Sequence, residues 1–143
     1  MKGLFRKILC PIDFDRISIP AIKLARRFAE DADATVCLLS VVPKQKSAAA
    51  EPGLEQFAND SLRAVARKWL EGKVRHEIVV RAGKPALGVL KAAEELDADA
   101  IVMATHGRTG KAHARLGSVT EQVVRQSTRP VITIRPVSSS DDE

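Results

Sequence analysis

The chain has 143 residues, 45% of them hydrophobic and 29% charged, which suits one soluble globular domain and leaves little room for a second. A domain of this size buries roughly 70% of the surface its unfolded chain exposes, so it needs no disulfide or metal staple. The net charge of +5 admits a polyanionic ligand, but scattered Lys and Arg residues and only 3% aromatics argue against a base-stacking nucleic-acid surface.

The opening "MKGLFRKILC" is basic, yet its apolar run is too short for a signal peptide, and nothing approaches the roughly 18 apolar residues of a membrane span. "KILCPI" is short and apolar enough for a first strand. Cys10 within it and Cys37 further on have no CxxC spacing, so both are expected as small buried hydrophobes in a reducing, cytoplasmic setting. Ile17, Ala21, Leu24, Ala25 and Phe28 then fall on one face of a helix. "TVCLLSVV" is a second strand, and "PKQKSAAAEPG", residues 43–53, a flexible connection. Leu54, Phe57, Ala58, Leu62, Val65 and Trp69 mark a second helix, "VRHEIVV" a third strand, and Ala86, Val89, Leu90 and Ala93 a third helix. "AIVMA" is a fourth strand, Val119, Val123 and Val124 a fourth helix, and "PVITI" a fifth strand. A single domain over residues 1–137 and a disordered acidic tail over 138–143 complete the organisation.

Strands alternating with helices imply an α/β fold, a parallel sheet covered on both faces through right-handed crossovers. "VCLLSVV" and "AIVMA" lack alternation, as doubly covered strands do, whereas "VRHEIVV" alternates and belongs nearer an edge.

The least ordinary stretch is "ATHGRTGKAHARLGS", residues 104–118, at the carboxyl end of the fourth strand. Open parallel sheets bind ligands there, and Gly107 and Gly110 let backbone amides approach a phosphate. Ser118 with Glu121 three residues later is a capping-box signature, so a helix begins at Ser118, and its N-terminus favours anions. Ser118 and Thr120 add hydroxyls. A phosphate cradle and a plain capped loop both fit these residues. The stretch is not a Walker A loop, since "GRTGK" has too few residues between its glycines and Lys111 is followed by Ala112. At the end of the first strand, Asp13 in "CPIDFD" could meet a nucleotide, help hold Mg²⁺, or cap the first helix.

These residues resemble the universal stress protein family, through "KILCPIDF", "RAGKPALGVLKAAEELDADAIVMATHGRTG" and "LGSVTEQVVRQSTRPVITIRP", which together span almost the whole chain. Gly107, the nine residues 108–116 and Gly117-Ser118 match the family's nucleotide-binding signature at the right spacing. The resemblance implies a Rossmann-like open sheet of five parallel strands, order 3-2-1-4-5, that binds ATP with Mg²⁺. It implies that Asp13 and Val41 contact the adenosine, with Pro11 and Ile12 shaping the floor. Met103, Ala104 and Gly107 would line the ribose and first phosphate, and Gly117, Ser118, Val119 and Thr120 would hold the remaining phosphates beside an Arg108 clamp. The chain departs from the family at Ala104, where the signature has its first glycine, so weaker but retained binding is expected there. It departs again at "KAHARL", residues 111–116, which is more basic than usual.

His76, His106 and His113 lack metal-ligand spacing, and no Ser/His/Asp set or general base stands out. The expected function is therefore an ATP-binding stress-response module whose nucleotide is a signal, hydrolysed slowly if at all. The alternatives are a nucleotide-free dimeric interaction protein of the same fold and a related adenine-nucleotide hydrolase or ligase. The last should carry a glycine- and serine-rich loop after the first strand, and "PIDFD" is not one. Val131, Ile132, Thr133 and Ile134 form a β-branched run at an expected sheet edge, between Pro130 and Pro136, and pair two chains into a homodimer.

Overall fold

In the computed structural model, which describes residues 4–14, 19–44, 53–105 and 116–135, the apolar runs become strands and the amphipathic segments helices. The order is β1 (Lys7–Pro11), α1 (Ile19–Ala32), β2 (Thr35–Val42), α2 (Leu54–Trp69), β3 (Arg75–Ala82), α3 (Pro85–Glu95), β4 (Ala100–Ala104), α4 (Ser118–Gln126) and β5 (Val131–Ile134). All pairings are parallel, in the order β3-β2-β1-β4-β5. β2 and β4 coincide with their apolar runs. β1 stops one residue early, β5 starts one residue late, and β3 continues to Ala82. Most of the connection expected over 43–53, and the whole acidic tail, lie outside the described residues.

The strands still alternate, because each face has its own helical layer. Ile8, Cys10, Val36, Leu38 and Val102 point to the face covered by α1 and α2. Leu9, Cys37, Leu39, Ile101 and Met103 point to the face covered by α3 and α4. With few aromatics to fill space, the helices lie close on alanines: Ala21, Ala25 and Ala29 of α1, and Ala86, Ala92 and Ala93 of α3, are all buried.

Two helical faces differ from the sequence expectation. In α1 the fully buried positions include Ile22 and Ala29, while Leu24 and Phe28 are only half-buried and Ile17 lies outside the described residues. Phe57 in α2 and Val124 in α4 face outward, with 63% and 43% of their surface exposed. Each sits at the margin of an apolar stripe, where one step of 100° turns a side chain away from the sheet.

α1 and α3 end without glycine. Asp33 and Asp97 take left-handed backbone, φ 55° and 54°, just past α1 and α3. There the Ala34 and Ala98 amides return to the Ala29 and Ala93 carbonyls, both at 2.9 Å, in the Schellman pattern. Asp99 then ties β4 to β1, its Oδ2 accepting the Arg6 and Lys7 amides at 2.8 and 3.0 Å.

Candidate functional site

The chain runs outward from β1 through β2 to β3, then crosses back to lay β4 on the other side of β1. A crevice opens beyond the carboxyl ends of β1 and β4 at such a reversal. Most of the sequence-predicted residues converge here. Pro11 ends β1 and Ile12 follows it, its amide donating to the Leu39 carbonyl at 2.7 Å. Asp13 comes next and is exposed, and residues 15–18, between Phe14 and α1, lie outside the described residues. Val41 is the penultimate residue of β2, and Met103 and Ala104 end β4. Gly107 and Arg108 lie outside the described residues, as do His106, Lys111 and His113.

Both ends of the glycine stretch are fixed to the sheet. The Thr105 amide donates to Ile134 of β5 at 2.9 Å, and the Gly117 amide donates to the Thr105 carbonyl at 2.7 Å. The start of α4 is thereby seated on the end of β4. Ser118 is the first helical residue, as expected, but it is not the cap. Gly117 is, with extended backbone (φ −65°, ψ 157°), its carbonyl accepting the Glu121 amide at 2.8 Å. Glu121 then stands one place too far along for a capping box, and no side chain caps the helix. The amides of Ser118, Val119 and Thr120 consequently have no acceptor inside α4 and present its positive end to the crevice.

Thr120 differs from expectation in what its hydroxyl does. Buried, it donates to the Ala104 carbonyl at 2.9 Å, locking helix to strand, and its proton is not free for a phosphate. Ala104 is paired with Ile134 in the ladder, and only Asp33 and Asp97 have positive φ among the described non-glycine residues. Its methyl therefore carries no backbone strain. It falls on the face of Val102, away from that of Met103.

A cleft of about 360 Å³ lies between the starts of α3 and α4, lined by Lys84, Pro85, Leu87, Ser118, Val119 and Gln122. It adds Lys84, which the sequence reading did not single out. The signal was present in Pro85, which suits the first turn of a helix and so places Lys84 at the carboxyl edge. A second cleft of about 380 Å³ lies at the opposite end of the sheet, beside the Arg75–Asp33 ion pair, far from this crevice.

The cysteines stand apart from the site. Burial pushes the Cys10 thiol up to about 12. Burial does the same to Cys37, helped by its S–H donating to Glu77 Oε1 at 3.3 Å. His76 Nδ1 lies 3.4 Å from the Val74 carbonyl. Among the described residues no group of three His, Cys, Asp or Glu side chains could hold a metal, and no helix is long and apolar enough to cross a membrane.

The sequence model of the universal stress protein family matches residues 4–135. Universal stress protein MJ0577 of Methanocaldococcus jannaschii is 29% identical over 164 residues, covering 97% of this chain and 100% of the relative. Universal stress protein MJ0531 of the same organism is 31% identical over 143 residues, covering 94% and 84%. The solved structure of MJ0577 matches with a TM-score of 0.79 at 26% identity, over 96% of this chain and 100% of its own. A universal stress protein in complex with cAMP shares the fold at TM-score 0.66 and 23% identity, over 94% and 100% of the two chains. So does one from Archaeoglobus fulgidus in complex with dAMP, at TM-score 0.66 and 22% identity, over 93% and 100%.

Proposed function

This chain belongs to the universal stress protein family, and we propose that it is a regulatory module that binds ATP at the carboxyl edge of its sheet. In this reading, occupancy of the site and not rapid turnover is the signal. The observation that carries it is the start of α4: three amides without helical acceptors, held rigidly against the end of β4 beside the β1–β4 crevice. Preformed donors at a helix N-terminus are what a phosphate chain needs. The apolar side chains of Pro11, Ile12, Val41 and Met103 suit a nucleoside, and relatives solved with cAMP and dAMP bind adenine nucleotides within the same fold.

Mg²⁺ fits this arrangement only as a companion of the nucleotide. Asp13 is the single carboxylate among the proposed site residues, and magnesium commonly takes one or two protein carboxylates together with phosphates and water. When bound, the ion would neutralise phosphate charge, and Asp13 would hold it or the ribose. The Gly117–Thr105 and Thr120–Ala104 hydrogen bonds keep the phosphate-facing amides in place. Ser118 supplies the free hydroxyl, and Gly107 and Arg108 complete the cradle as the family resemblance implies.

The test is to denature the purified protein, identify any released nucleotide by mass spectrometry, and titrate stripped protein with MgATP by calorimetry. Binding tighter than millimolar is expected. Ser118→Pro removes one amide and the hydroxyl, yet proline suits the first helical position and follows an extended Gly117 without strain. Its melting temperature should hold while ATP affinity falls about tenfold, the scale of one charge-assisted hydrogen bond. Neither co-purified nucleotide nor heat on titration would leave the chain as a nucleotide-free interaction protein of this fold.

A further inference from the structure

Gly88 lies in α3, where glycine forms a helix less readily than alanine, so its presence needs a reason. The reason is across the gap. A Cβ at position 88 would sit 2.7 Å from both methyls of Val41 and 3.3 Å from its Cβ. Real side chains do not tolerate that, and valine cannot rotate out of the way. Its two methyls occupy two of three staggered positions, both facing Gly88, so either other rotamer still leaves one methyl there.

Relief must come from moving an element. α3 is held down by Ala86, Val89, Ala92 and Ala93, all buried in the core on that face. β2 is held along its β3 side, where Val41 pairs with Arg81 and the Gly83 amide donates to the Val42 carbonyl at 2.8 Å. On its other side, strand pairing with β1 has already stopped at Pro11–Leu39. A side chain at 88 therefore displaces Val41 from its place beside α3 at the carboxyl edge of the sheet.

We propose that Gly88 is a positioning residue for the nucleoside end of the site, setting how far Val41 projects into the crevice and so which base and ribose fit. The proposal rests on the nucleotide-binding reading above and deepens it. Gly88 touches no ligand. It acts through Val41 alone.

The experiment measures affinity for ATP, adenosine and inorganic tripolyphosphate in four proteins: wild type, Gly88→Ala, Val41→Ala and the double variant. Gly88→Ala should weaken ATP and adenosine by roughly tenfold, the scale of one or two lost methyl-sized contacts, and leave tripolyphosphate unchanged. In the Val41→Ala background, which lacks the methyls that collide, Gly88→Ala should cost nothing further, so the double variant should bind as Val41→Ala does. A general loss of structure would weaken all three ligands and would persist in the Val41→Ala background. If Gly88→Ala does not fold, the double variant, which lacks the collision, should fold and match Val41→Ala in affinity. Wild-type affinity in Gly88→Ala, or a double variant that binds more weakly than Val41→Ala, overturns the proposal while ATP binding stands. Absence of ATP and adenosine binding in the wild type overturns the functional reading itself and this proposal with it.

Discussion

Thr120 is buried, 4% exposed, and the bond from its hydroxyl to the Ala104 carbonyl joins the first turn of α4 to the last residue of β4. Thr120→Val keeps the shape and removes the donor, leaving a partly buried carbonyl short of a partner. Unfolding free energy should fall by about 1–2 kcal/mol, which for a chain of this size lowers the melting temperature by roughly 3–6 °C. ATP affinity should fall with it, since α4 would lose one of its two moorings. A variant that melts like the wild type would show that Gly117–Thr105 alone seats the helix. Sequence could not supply this. Thr120 was legible as a polar residue at a helix start, but whether its hydroxyl faces a ligand or a carbonyl depends on where β4 ends. Likewise Ser118 and Glu121 spell a capping box. Only the extended backbone of Gly117 shows that the cap lies one residue earlier.

At the scale of elements, β1 is the central strand with β2 beside it, and they carry Cys10 and Cys37 on opposite faces. Both thiols are raised from an ordinary 9.0 to about 12, Cys10 by burial alone and Cys37 by burial together with Glu77. A raised folded value favours the neutral form, so the stabilisation is complete below about pH 9, where the unfolded thiols also stay neutral. It is lost between about pH 9 and 12, as the unfolded chain gains thiolates that the core refuses. Urea unfolding of the wild type should therefore weaken across this window. Cys10→Ala with Cys37→Ala should start less stable at about pH 8, from lost packing, but decline less by about pH 10.5. Parallel declines would mean that other groups, such as the lysines, set the alkaline limit. These strands were also the most legible elements, because a doubly covered strand is a short apolar run bounded by polar residues. Helix faces were harder. Ile22 and Leu24 are equally apolar in sequence, and only the position of the sheet buries one and leaves the other at the margin. The crevice was legible as a place, from the glycines after "AIVMA". The close approach of α3 to Val41 was not, since it joins residues far apart in sequence.

For the whole molecule, β5 is one of two sheet edges, and its exposed side invites a second copy. The pairing geometry identifies which groups are available. The Pro130 and Ile134 carbonyls accept the Ile101 and Thr105 amides, so the backbone groups of residues 130, 132 and 134 face β4. Those of Val131 and Thr133 face outward. Ile132 and Ile134 pack against the core beneath α1 and α2, so lysines there would damage the fold before testing any interface. Thr133 is the better probe. It is exposed, its amide is outside the β4 ladder, and proline is tolerated on edge strands when the missing donor is the outward one. A homodimer formed by two β5 edges about a two-fold axis predicts twice the 15.5 kDa chain mass in light scattering at micromolar concentration. Thr133→Pro should shift the protein to monomer with little change in its helical circular dichroism. A wild-type monomer at that concentration rules the arrangement out. A dimer that survives Thr133→Pro places the interface elsewhere, with the β3 edge next in line, because it is the other side on which this sheet ends.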